Sequence, residues 1–74
     1  MYDTLVMTSA ELVRKLKKLA RQRGVDLTIE LGKGSHRKVT FGEARTIVPM
    51  HGADLKTGTL NGILKDLGIT KEEL

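Results

Sequence analysis

The 74-residue chain has no cysteine, no tryptophan and a single proline. Without thiols there is no disulfide to staple the fold and no thiolate zinc site, and two histidines alone make a poor metal set. The aromatic residues are Tyr2 and Phe41, too few for a platform that stacks single-stranded bases. No apolar run approaches the roughly 20 residues that span a bilayer, and no signal peptide is evident. A chain of this length buries only about 60% of its unfolded surface, which leaves little interior for a large cofactor pocket. The sequence therefore reads as a small domain suited to a reducing compartment, with neither a membrane nor a small-molecule cofactor among its expected partners.

What the chain does have is positive charge. Thirteen Lys and Arg against nine Asp and Glu give +4, a balance that favours an anionic partner such as nucleic acid. No repeat, low-complexity tract or linker divides it. It reads as one domain over residues 8–74 preceded by a tail at 1–7, with Met7 as an alternative start.

Thr8-Ser9-Ala10-Glu11 matches a capping box. Leu12, Val13, Leu16, Leu19 and Ala20 then recur at helical spacing, and Gly24 supplies a stop. Arg14, Lys15, Lys17, Lys18, Arg21 and Arg23 occupy the rest of this helix, as a phosphate-contacting cluster or simply as its solvated face. From Val25 the period changes to two. Leu27, Ile29 and Leu31 alternate with polar residues and predict a half-buried strand. A Gly-rich turn at 32–35 leads to a second strand from His36 to Phe41, with Val39 and Phe41 on one face and His36, Lys38 and Thr40 on the other. Gly42-Glu43 is a tight hairpin connection, and a third strand runs over 44–48, closed by Pro49. Pattern alone leaves open which of Ile47 and Val48 faces the core. Leu60, Ile63, Leu64 and Leu67 mark a final helix with Thr57 as its cap and Gly68 as its stop. Gly58 and Gly62 weaken this helix and are expected to permit close approach to the sheet. Thr70-Lys71-Glu72-Glu73 repeats the capping box. The order predicts an α+β two-layer sandwich, α-β-β-β-α, with a three-stranded antiparallel sheet, like the double-stranded-RNA-binding (dsRBD) fold.

The chemistry converges on Gly34-Ser35-His36. One imidazole sits at the mouth of a Gly-rich turn with Lys33, Arg37 and Lys38 beside it. Those cations attract a phosphodiester, exposed turn amides add anion contacts, and histidine moves a proton near neutral pH. RNA brings its own nucleophile, the ribose 2′-hydroxyl, so a minimal ribonuclease needs a proton-transfer group, a cation and correct geometry, and no metal. A lone histidine of this kind in a basic protein is more often a bystander. His51, beside Pro49 and Gly52, reads as structural. No Walker loop, zinc motif, paired carboxylates or Ser/His/Asp array competes. From the residues alone, a metal-independent endoribonuclease and a non-catalytic RNA-binding module are both open. A structural ribonucleoprotein component is a third reading.

Taken together, the segments resemble the HicA family of bacterial toxins, small ribonucleases of type II toxin–antitoxin systems. The resemblance runs from about Ser9 to Thr70. It is carried by the amphipathic first helix, Gly34-Ser35-His36, Ile47-Val48-Pro49-Met50-His51-Gly52, and the segments Asp54 to Leu60 and Ile63 to Gly68. It implies a dsRBD-like fold in the bacterial cytoplasm and metal-free cleavage of mRNA, with His36 as the catalytic residue. Lys33, Gly34, Ser35, Arg37 and Lys38 would bind substrate, and His51 would be an accessory group. It also implies a HicB-type antitoxin as protein partner. Two departures stand out. Family members often carry Lys-Pro-Gly-Thr before the last helix, where this chain has Lys56-Thr57-Gly58-Thr59, and a His or aromatic residue often follows the histidine, where this chain has Arg37-Lys38.

Overall fold

A computed structural model describes residues 7–50, 52 and 54–74. Two helices and a three-stranded antiparallel sheet follow one another as α1 (Ser9–Arg23), β1 (Leu27–Leu31), β2 (His36–Phe41), β3 (Ala44–Pro49) and α2 (Thr57–Leu67). A short 3₁₀ turn, Lys71–Glu73, closes the chain. This is the α-β-β-β-α order that the periodicities predict, with β2 central between β1 and β3.

α1 begins as its sequence dictates. The Thr8 hydroxyl accepts from the Glu11 amide at 3.2 Å, and the Glu11 carboxylate accepts from the Thr8 amide at 3.1 Å. That reciprocal bond, first with the Thr8 backbone and then with its hydroxyl, holds the Glu11 carboxyl below its ordinary range. Gly24 ends the helix in the left-handed region at φ 67°, where a β-carbon would be strained. α2 is built differently. Its first helical residue is Thr57, so the expected cap belongs instead to Lys56, which makes no side-chain capping bond. Gly58 and Gly62 are exposed and no atom of another element lies within 4 Å of where a β-carbon would stand. They do not bring α2 closer to the sheet.

Register fixes two unlike faces. The two-residue connection at 42–43 pairs Phe41 with Ala44, Val39 with Thr46 and Arg37 with Val48. β1 adds Leu27, Ile29 and Leu31 opposite Phe41, Val39 and Arg37. Because side chains alternate along a strand, these nine residues share one face, and the helices pack on it. Val39, Phe41 and Val48 are buried there with Leu12, Leu16, Leu60, Ile63, Leu64 and Leu67. Val48 is thus the core residue and Ile47 the outward one. Met7 is 1% exposed within the same core, and its carbonyl accepts from the Leu55 amide at 2.8 Å. Met7 therefore belongs to the packed domain and not to a tail.

β1 departs from the half-buried pattern. Leu27 is half-buried, but Ile29 and Leu31 are exposed, Leu31 to 78%. The cause is the path of α1, which starts beside Pro49 at the end of β3, where the Ser9 hydroxyl donates to the Pro49 carbonyl. It finishes just before β1. The helix therefore crosses the sheet and leaves the far corner of β1 bare.

Candidate functional site

The turn at 32–35 is closed by three bonds. The Gly32 amide donates to the His36 carbonyl at 2.9 Å, the His36 amide to the Lys33 carbonyl at 3.1 Å, and the Met50 amide to the Ser35 carbonyl at 2.9 Å. A β-carbon on Gly32 would stand 3.0 Å from the His36 carbonyl oxygen, so the turn closes this tightly only with glycine there. Gly34 takes φ 63°, again a conformation that favours glycine. The amides of Gly34 and Ser35 donate to no backbone carbonyl among the described residues.

His36 opens β2 immediately after this turn and is exposed. Its Nδ1 lies 3.2 Å from the Lys33 carbonyl oxygen. A carbonyl oxygen only accepts, so when this bond forms Nδ1 carries the proton, and in the neutral ring the lone pair sits on Nε2. Across the sheet His36 pairs with Pro49, whose carbonyl is held by the buried Ser9 hydroxyl. The strand end that carries the imidazole is therefore anchored on both sides, by the turn and by the start of α1.

The predicted site residues do not all gather on one side. Lys33, Gly34 and Ser35 are exposed on the turn, and Lys38 is exposed on the same sheet face as His36. Arg37 points to the helix-covered face, is half-buried, and donates from its guanidinium to the His36 carbonyl at 3.1 Å. His51 lies outside the described residues. The basic cluster of α1 stands on the far layer: Arg14, Lys15, Lys17, Lys18 and Arg21 are exposed there. Arg23, also exposed, pairs with Glu73 and lies 5.9 Å from the Phe41 ring centroid.

Three residues with a bearing on the site escape sequence reasoning. Arg45 and Ile47 share the open face with His36 and Lys38, because Arg45 pairs with Thr40 and Ile47 with Lys38. The two-residue hairpin was the signal that fixes that register. Ser9, read only as part of a cap, carried no sign of its bond to Pro49. Among the described residues no three His, Cys, Asp or Glu side chains cluster so as to hold a metal ion, and no helix is long and apolar enough to cross a membrane.

Fold and site define a small basic α+β domain with a solvent-facing histidine at one end of its sheet. A family model described as the HicA toxin of bacterial toxin–antitoxin systems matches residues 10–69. The chain belongs to that family, and is accordingly a toxin of a toxin–antitoxin system with an antitoxin as its counterpart. No curated protein matches the chain.

Proposed function

We propose that the protein is a metal-independent endoribonuclease that cleaves mRNA, with His36 as its proton-transfer residue, and that a HicB-type antitoxin neutralises it in the bacterial cytoplasm. The observation that carries this reading is the bond between His36 Nδ1 and the Lys33 carbonyl. It leaves the basic lone pair of an exposed imidazole directed elsewhere than its own turn, which suits a general base. Nε2 takes the proton of the ribose 2′-hydroxyl. The 2′-oxygen then forms a bond to phosphorus, the bond from phosphorus to the 5′-oxygen breaks, and that oxygen takes a proton from water, whose hydroxide is neutralised by the proton held on Nε2. The products are a 2′,3′-cyclic phosphate and a 5′-hydroxyl.

Lys38, exposed on the same face, and Lys33 on the turn offset the charge that builds on the phosphoryl oxygens. The free amides of Gly34 and Ser35 add neutral donors. Arg37 acts from behind the strand by holding the His36 carbonyl. A three-stranded sheet with helices on one face is also the plan of double-stranded-RNA-binding domains, which is in keeping with an RNA substrate.

The test is cleavage of an end-labelled mRNA in excess EDTA by wild type and by His36→Ala. Wild type should leave cyclic-phosphate ends, and the variant should be slower by at least about 10²-fold, the scale of a lost general base. If both proteins bind RNA and neither cuts, with or without added metal, the non-catalytic RNA-binding module takes the place of the nuclease.

A further inference from the structure

The open face of the sheet carries more than His36. Beyond Lys38 a hollow of about 550 Å³ is lined by Glu30, Lys38, Thr40, Arg45 and Ile47 of that face, with Val39, Thr46 and Asp66 of α2 reaching it from the helix-covered side. Its open-face chemistry is mixed: two cations, one carboxylate, a hydroxyl and an isoleucine that is 49% exposed. Glu30 stands directly across from Lys38. Even so, the single ion pair among the described residues is Arg23 with Glu73, so the Glu30 and Lys38 heads stay available to a ligand. Asp66 is engaged on the other side: one of its oxygens accepts at 3.0 Å from the hydroxyl of Thr46, a residue of the helix-covered face.

We propose that this face is the track of the substrate strand, and that the hollow binds a nucleotide of single-stranded RNA two steps from the scissile phosphate. The proposal rests on the nuclease reading for the position of the cut, and its geometry comes from the strands themselves. Same-face neighbours along a strand are about 7 Å apart, the scale of one nucleotide step in an extended chain. Lys38 lies one such step from His36. Arg45, opposite Thr40, lies two steps away and one strand across.

The occupant follows from the mixture. Glu30, directly across from Lys38, offsets part of the positive charge, so a bare anion uses only part of what the hollow offers. A nucleotide matches it part by part: Lys38 and Arg45 meet phosphate, Ile47 supports the flat apolar base, and Glu30 accepts from N–H groups on the base edge. The stripe on α1 is more basic but lies on the layer behind the opposite sheet face. A strand held at His36 reaches it only by turning around the end of the sheet.

The test uses the full chain carrying His36→Ala, so that RNA is bound and not consumed. A ten-nucleotide single strand is titrated against that protein, against the same protein with Arg45→Gln, and against it with Lys17→Gln on α1. A photoactivatable thiouridine in the strand maps the contact. Arg45→Gln should lower affinity severalfold and reduce the slope of log K against log salt by about 0.7, one phosphate contact on a single strand. Lys17→Gln should leave the slope alone, and crosslinks should fall on β2 and β3. Ile47→Ala is the companion variant should Arg45→Gln fold poorly, and it should lower affinity with no change of slope. An Arg45 variant with the parent's affinity and slope, crosslinks confined to α1, or no binding of the strand at all each overturns the proposal. Failure of the nuclease reading appears separately, as binding by the wild type without cleavage.

Discussion

On β2, Val39 and Phe41 are buried while His36 and Lys38 are exposed, although the four lie within six consecutive residues. The two faces of this sheet are subject to different constraints. The helix-covered face holds the fold together: Val39, Phe41 and Val48 at its centre are apolar, closely packed, and bound by volume. The open face holds a histidine, cations, a carboxylate and one isoleucine, and packing decides none of them. A chain this small has room for one core, so on these strands the side chains left over for binding are those of the other face.

Paired truncations sharpen that contrast most. Leu16→Ala, at a position with no exposure, should cost about 2–5 kcal/mol, enough to threaten a domain of this size. Ile47→Ala removes a similar side chain from the open face and should cost about 1 kcal/mol or less. Chemical denaturation of both variants checks the pair, and equal losses would erase the distinction. Ser9→Ala tests whether the faces are independent at all. Ser9 is buried with its hydroxyl on the Pro49 carbonyl, so the change should cost about 1–3 kcal/mol by leaving that carbonyl unpaired. It should also slow RNA cleavage by loosening the strand end opposite His36, and a loss of stability with unchanged cleavage would show that the anchor does not reach the site. The smallest effect runs the other way. Gly62→Ala, exposed within α2 and free of neighbours, should stabilise by about 1 kcal/mol and raise Tm by about 4–8 °C, with cleavage unaltered.

Much of this was legible in the chain because local chemistry and period agree. Thr8 and Glu11 announce the start of α1, the alternation over 36–41 gives β2 its two faces, and the two-residue connection dictates how β3 aligns. What was not legible depends on where distant elements lie. The exposure of Leu31 follows from the diagonal path of α1, which no property of β1 encodes. The burial of Met7 requires the segment before α2 to pair with the chain just ahead of α1, as the Leu55 bond to the Met7 carbonyl does. His36, Lys33 and Lys38 could be nominated from their neighbours. Arg37 is adjacent to them in sequence, yet the alternation of the strand turns it to the other side.

The unequal helices also bear on how the molecule opens. α1 starts with a reciprocal cap and ends with Arg21 and Arg23 near its negative pole. α2 has no side-chain cap, no acid in its first turn and two exposed glycines. Amide protons in the first turns of α2 should therefore exchange through partial openings below the free energy of global unfolding, while those of α1 and the central strand should wait for the whole domain. On that account α2 should be the first element to show exchange, and the strands that present His36 among the last, which amide exchange by NMR would check.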